Sequence, residues 1–147
     1  RNNVARSLCV ICAKLGINYT VVTPQELATD QELLDECAVW ARESGARISV
    51  SSSLDDVRDA DALYTDVWVS MGEEHEAAER KRLLAPYQVN EELMRKTGNP
   101  GCIFLHCLPA VKGEEVTVPV IDGPMSHAWD QAENRKHTIK AIMLATI

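Results

Sequence analysis

The run Cys102-Ile103-Phe104-Leu105-His106-Cys107-Leu108-Pro109 begins as a buried strand and ends in a histidine, a thiol and a proline. Turn residues bracket it, Asn99-Pro100-Gly101 before and Pro109 after, as they bracket a core strand of a parallel sheet. In open α/β sheets ligands bind in the crevice beyond the carboxyl ends of the strands, so His106 and Cys107 are placed for chemistry. Taken alone, the stretch also reads as a core strand ending in a small hydrophobe. A free cysteine packs like one, and the base rate of buried cysteine favours that reading. Two more residues bear on the choice. Asp66 sits toward the carboxyl end of a second strand, 62–68, and so at the same kind of edge. Arg135 interrupts an apolar helical stripe of Ala128, Ala132, Ile139, Ile142 and Met143. A guanidinium on a buried face needs a carboxylate or phosphate partner. Asp130 or Glu133 would serve structurally and an anionic ligand would serve functionally; the pattern leaves both open.

These side chains need a framework of alternating strands and helices, and the chain supplies one. A helix over 4–15 places Val4, Leu8, Ile11, Cys12 and Leu15 on one face and stops at Gly16. Asn2 and Asn3 stand at its N-terminus, where asparagine caps well and where polar or anionic ligands also collect. A strand follows over 17–23, then a helix capped by Asp30 with Leu34, Cys37, Ala38 and Ala41 inward and Gly45 at its end. A strand over 47–51, a brief helix capped by Ser53 and the strand 62–68 come next. Residues 69–72 carry no periodicity and lead into a charged helix, 73–84, supported by the four-apart pair Glu76 and Arg80. Asn90 caps a helix over 91–96, and the strand that begins at Cys102 follows. Beyond it lie a polar loop, 111–115, a cap at Thr117 with Pro119 in the first turn, a turn at 122–124 and one long helix from Ala128. This order indicates an α/β fold, a doubly wound parallel sheet with helices on both faces, Rossmann-like in architecture.

Composition narrows the partners. The 147 residues are close to the commonest size of one domain, and 46% hydrophobic with 25% charged residues is ordinary for a soluble globular chain. A net charge of −7, with no basic cluster beyond Arg80-Lys81-Arg82, argues against nucleic acid. No apolar run is long enough to span a bilayer, so no membrane partner is expected. The five cysteines show no disulfide-framework spacing, which favours a reduced, cytoplasmic chain. Cys9 and Cys12 have redox or zinc spacing, but they lie within a helix and lack a second ligand pair, so they read as core. The four histidines (75, 106, 127 and 137) fall on different elements without ligand spacing; no metal and no cofactor is expected. His75 reads as solvated, and His106 as hydrogen-bonded within the site wall. No Gly-x-Gly-x-x-Gly or Walker pattern is present, which argues against dinucleotides and nucleoside triphosphates. The chain opens on Arg1-Asn2-Asn3 and runs straight into a helix without a starting methionine, as a piece of a longer protein would.

Three segments together resemble the ornithine carbamoyltransferase family: Asp66-Val67-Trp68-Val69-Ser70-Met71-Gly72, His106-Cys107-Leu108-Pro109 and Ala132-Glu133-Asn134-Arg135. Arg1-Asn2-Asn3 is similar to the tail of a fourth family segment, and the resemblance covers essentially the whole chain in order. The family has two α/β domains. Its amino-terminal domain carries a Ser-Thr-Arg-Thr-Arg phosphate motif, of which there is no trace here, and its carboxyl-terminal domain holds the amino acid. The resemblance therefore implies that residues 1–147 are the ornithine-binding domain, with the helix from about 128 to 147 packing on the carbamoyl-phosphate domain. It implies that Asn3, Asp66, Ser70 and Met71 hold ornithine, with Cys107 as the active-site thiol beside the reacting amine. The Leu108 carbonyl would contact the carbamoyl amide, Arg135 would bind carbamoyl phosphate, and the Leu108-Pro109 bond would be cis. The implied reaction transfers a carbamoyl group from carbamoyl phosphate to the side-chain amine of L-ornithine, giving L-citrulline and phosphate, in a homotrimer. A carbamoyltransferase for putrescine, aspartate or an acylated ornithine is the enzymatic alternative, and a non-catalytic amino-acid-binding domain the other. Ser70-Met71-Gly72 reads as a lid that closes over ornithine and excludes water.

Overall fold

The computed structural model describes residues 2–69 and 74–147. The chain divides into two compact units, Arg1–Val57 and Arg58–Ile147. Each holds one pair of parallel strands.

The first unit runs α1 (Asn3–Leu15), β1 (Tyr19–Val22), α2 (Gln31–Ser44) and β2 (Ile48–Ser51). Asparagine and aspartate caps start both helices: Asn2 accepts from the Ala5 N–H at 2.9 Å and Asp30 from the Leu33 N–H at 3.0 Å. Gly16, at φ 76°, ends α1, and a Cβ there would lie 2.9 Å from the Ser44 carbonyl oxygen. Helix α2 is the crossover that lets β1 and β2 pair in parallel, Tyr19 opposite Ile48 through Val22 opposite Ser51. The core of this unit sets Cys9 and Ala13 of α1 against Leu33, Cys37 and Ala41 of α2. The buried face of α1 is therefore turned from the expected one: Cys9, Cys12 and Ala13 are covered, while Ile11 and Leu15 are exposed. Small side chains let the two helices approach closely, and that contact outweighs burial of the larger residues.

The second unit holds β3 (Ala62–Thr65), α3 (Ala77–Leu84), α4 (Glu91–Lys96), β4 (Ile103–His106), α5 (Val118–Ile121) and α6 (Ala128–Thr146). Strands β3 and β4 pair in parallel, Ala62 opposite Ile103 through Thr65 opposite His106. Fully buried Phe104, with Ile121 and Val116, forms the core. The stretch before α6 bridges to β4: the Phe104 N–H donates to the Met125 carbonyl at 2.8 Å, and the His127 N–H to the Phe104 carbonyl at 2.9 Å. Asn90 caps α4 as expected, accepting from the Leu93 N–H at 2.9 Å. Thr117 stands at the N-cap of α5, but its hydroxyl donates to Glu91 at 2.8 Å instead of capping. The charged helix starts later than expected, at Ala77 after a 3-10 turn over Glu74–Glu76, and keeps the Glu76–Arg80 pair at 3.0 Å. The chain is thus α/β with parallel strands joined through helices, in the Rossmann-like manner.

Two departures matter for function. Both strands stop short of their expected ends, leaving Asp66 and Cys107 one residue beyond β3 and β4. The Asp66 carboxylate itself accepts the Val67 N–H at 2.8 Å, which takes that donor out of any ladder. Helix α6 buries only Ala128, and every residue from Ala132 onward is exposed. Arg135 is therefore not on a buried face, because its helix outruns the unit that supports its first turn.

Candidate active site

The register of the second unit builds the site. Parallel pairing sets Thr65 beside His106, so the next residues of the two chains, Asp66 and Cys107, emerge side by side. The Cys107 thiol donates to Asp66 Oδ1 at 2.9 Å. Side chains two apart on a strand share a face, which puts Tyr64 on the face of Asp66. Its hydroxyl is hydrogen-bonded to Cys107 and accepts from Gln131 Nε2 of α6 at 2.9 Å. With that lone pair engaged, the phenol proton is available to the sulfur, and the thiol proton goes to the carboxylate. The chain Gln131, Tyr64, Cys107, Asp66 thus donates in one direction.

Burial, followed by the hydrogen bond and charge of Asp66, pushes the Cys107 thiol from its ordinary 9.0 up to about 12. Burial likewise holds the Tyr64 hydroxyl up to about 12. Near neutral pH, Cys107 is a proton donor and neither a thiolate nor a base.

The other wall is His106 and Glu115, both fully buried. His106 Nδ1 accepts the Leu108 N–H at 2.8 Å, and Nε2 lies 3.2 Å from Glu115 Oε1. The expectation that His106 hydrogen-bonds within the wall holds. Leu108 sits at φ 55°, and the Leu108-Pro109 bond is cis, as the resemblance implied.

Asp66, Cys107 and Leu108 come together in this unit. Arg135 lies four residues past Gln131 on α6, so it shares the helix face from which Gln131 reaches Tyr64, and it is exposed. Asn3 belongs to the other unit, as the exposed first residue of α1, while Asn2 is the cap. Ser70 and Met71, with the rest of the expected lid, lie outside the described residues. His75 is exposed; His127 and His137 sit on the surface near Asp130 and Glu133. Among the described residues, no group of three or more His, Cys, Asp and Glu side chains could hold a metal ion. No helix among them is long and apolar enough to cross a membrane. Sequence reasoning missed Tyr64, Gln131 and Glu115. The first two carried a signal, two residues before Asp66 and four before Arg135; Glu115, in a polar loop, carried none.

Comparison with known proteins places this arrangement. The model of the family described as aspartate/ornithine carbamoyltransferase, Asp/Orn binding domain, matches residues 1–146. The ornithine carbamoyltransferase of Pseudothermotoga lettingae is 57% identical over all of this chain and 47% of its own length. That of Pyrobaculum aerophilum is 56% identical over 97% of this chain and 46% of its own. Among solved structures, ornithine carbamoyltransferase from Pyrococcus furiosus superposes with a TM-score of 0.90 at 46% identity, covering 97% of this chain and 45% of that one. The chain spans about half the length of the relatives it matches.

Proposed function

The chain belongs to the aspartate/ornithine carbamoyltransferase family, as an Asp/Orn binding domain, and on that premise we propose that it is the amino-acid-binding half of an enzyme that carbamoylates L-ornithine to L-citrulline. The observation that carries the reading is the Cys107–Asp66 contact at the ends of two paired parallel strands, where such folds bind ligands.

A side-chain amine like that of ornithine is protonated in water, with a pKa of about 10.4, and must shed its proton before attacking the carbamoyl carbon. Asp66 is the acceptor and orienting group in this proposal. Cys107, held as a thiol, is a neutral neighbour that keeps one Asp66 oxygen engaged and adds no competing charge. The amine is the nucleophile, so no covalent bond to sulfur is required. The Leu108 carbonyl faces the carbamoyl amide, and Arg135 neutralises charge on the leaving phosphate as a bidentate guanidinium donor. The exposure of Arg135 suits a side chain that meets its partner only when ligand is bound. Asn3, Ser70 and Met71 are the further ornithine contacts that the family resemblance implies.

The remainder of α6 presents Ile139, Ile142 and Met143 to solvent, an apolar stripe that the carbamoyl-phosphate-binding half covers in this reading. The 147 residues alone are then inactive, and the working enzyme is a soluble homotrimer in the cytoplasm. The test is citrulline formation by the two-domain enzyme, with ornithine, N-acetylornithine, putrescine and aspartate offered in turn. The proposal expects the highest kcat/KM for ornithine. A higher value for another amine, or turnover by the 147 residues alone, overturns it.

A further inference from the structure

We propose that His106 and Glu115 form a buried positioning pair that clamps the turn 107–111, and with it the groups facing the carbamoyl donor. The inference rests on the functional reading above and adds two residues to it. Neither side chain needs to touch substrate.

The geometry is a closed ring of hydrogen bonds. Because the Leu108 N–H points at Nδ1, that nitrogen presents its lone pair and the ring proton sits on Nε2. Nε2–H then donates to Glu115 Oε1 at 3.2 Å, and the same oxygen accepts the Val111 N–H at 2.6 Å. The backbone N–H groups on the two sides of the Pro109 turn are thus tied to two side chains that are tied to each other. Leu108 at φ 55° is in a left-handed conformation that leucine seldom adopts unaided, and the adjoining clamp holds it there.

The Glu115 end is itself anchored. The Glu115 carbonyl accepts the Val89 N–H at 2.9 Å. The Gln88 side chain donates to the Gly113 and Glu114 carbonyls at 3.0 and 2.7 Å, and Lys81 of α3 pairs with Glu114 at 2.5 Å. The loop that carries the clamp is therefore fixed independently of the turn it grips. Glu115 Oε2 is buried without a hydrogen-bond partner among the described residues. A carboxylate left half satisfied in the interior is a poor device for stability alone, and an apolar residue would cost less there. Its one productive arrangement is Oε1 on Val111 and His106, which aims the turn.

The experiment uses the two-domain enzyme and reads kcat and KM for both substrates, the melting temperature, and the side-chain nitrogen NMR spectrum of the histidines. Glu115→Gln keeps the oxygen acceptor and is expected to retain kcat within about threefold. Glu115→Ala removes it, and kcat is expected to fall about a hundredfold with KM for ornithine little changed, the effect of misplacing a group by about 1 Å. His106 in the wild type is expected as the neutral Nε2–H tautomer. Equal kcat for Glu115→Ala and wild type overturns the positioning role, as does a tenfold loss in Glu115→Gln or an Nδ1–H tautomer. If Glu115→Ala does not fold, the Gln variant and the tautomer decide. A wild-type enzyme that makes no citrulline from ornithine overturns the functional reading instead, whatever the tautomer.

Discussion

At the ends of β3 and β4 the reactive side chains already have partners, whereas along α6 from Ala132 onward every residue faces solvent. The two regions meet at Gln131, whose amide reaches Tyr64 from the last half-buried position of the helix. In the proposed reading, the contrast separates what folding of this chain completes from what ligand and a carbamoyl-phosphate-binding half would supply. Asp66, Cys107 and the turn after them are set by strand register. Arg135 is placed by an exposed stretch of helix. Arg135→Ala should therefore cut kcat/KM for carbamoyl phosphate by about a thousandfold, the scale of losing one charged donor to a transition state. It should leave the melting temperature of the isolated chain unchanged, since surface substitutions act within about 0.5 kcal/mol. A large loss of stability without loss of activity would erase the contrast.

The prebuilt side can be probed through the thiol proton. Asp66→Asn removes the charge that helps hold Cys107 up to about 12. Turnover should fall about a hundredfold if Asp66 takes the amine proton. The thiol pKa should move down toward 9.0 without reaching it, because burial is the larger cause. Alkylation of Cys107 by iodoacetamide at pH 8 should then quicken, by less than the rise in thiolate fraction because a less basic thiolate is a weaker nucleophile. An unchanged rate would mean that Asp66 does not control the thiol. The same shift sets a stability slope. The folded thiol keeps its proton to about 12 while an unfolded cysteine loses it near 9.0. Its contribution is complete below pH 9.0 and is lost as the pH climbs toward 12. Urea melts across that window should show Cys107→Ser flattening the slope without abolishing it, because Tyr64 and Cys9 are also held up to about 12.

How legible each region was follows from where its information lies. Caps and stops were legible because they are local: Asp30, Asn90, Gly16 and Gly45 do in the fold what their residue types suggest. The facing of Asp66 and Cys107 was legible as two strand ends but not as a contact, since register is a nonlocal property. The buried face of α1 was misjudged because a close contact with α2 favours Cys9 and Ala13 over larger apolar residues. Arg135 was legible as anomalous, yet for the wrong reason: the apolar stripe it interrupts is uncovered in this chain. Glu115 was illegible because nothing local distinguishes it from Glu114 beside it, which reaches Lys81 on the surface.

The smallest effect tests the junction itself. Tyr64→Phe removes the hydroxyl that joins Gln131 to Cys107 and leaves the Gln131 amide without that acceptor. Gln131 Oε1 already lacks a partner among the described residues, so the variant strips this side chain of its principal anchor. The expected cost is about 1 kcal/mol of stability, the low end for an unpaired buried group, because Tyr64 is only half-buried. Turnover should fall by no more than about fivefold, since the Cys107–Asp66 hydrogen bond does not need the phenol. KM for carbamoyl phosphate should rise more than KM for ornithine, because loosening Gln131 frees the turn of α6 that presents Arg135. If instead both KM values stay fixed while stability drops, Tyr64 serves only to fasten the helix, and the two regions are coupled by packing and not through the site.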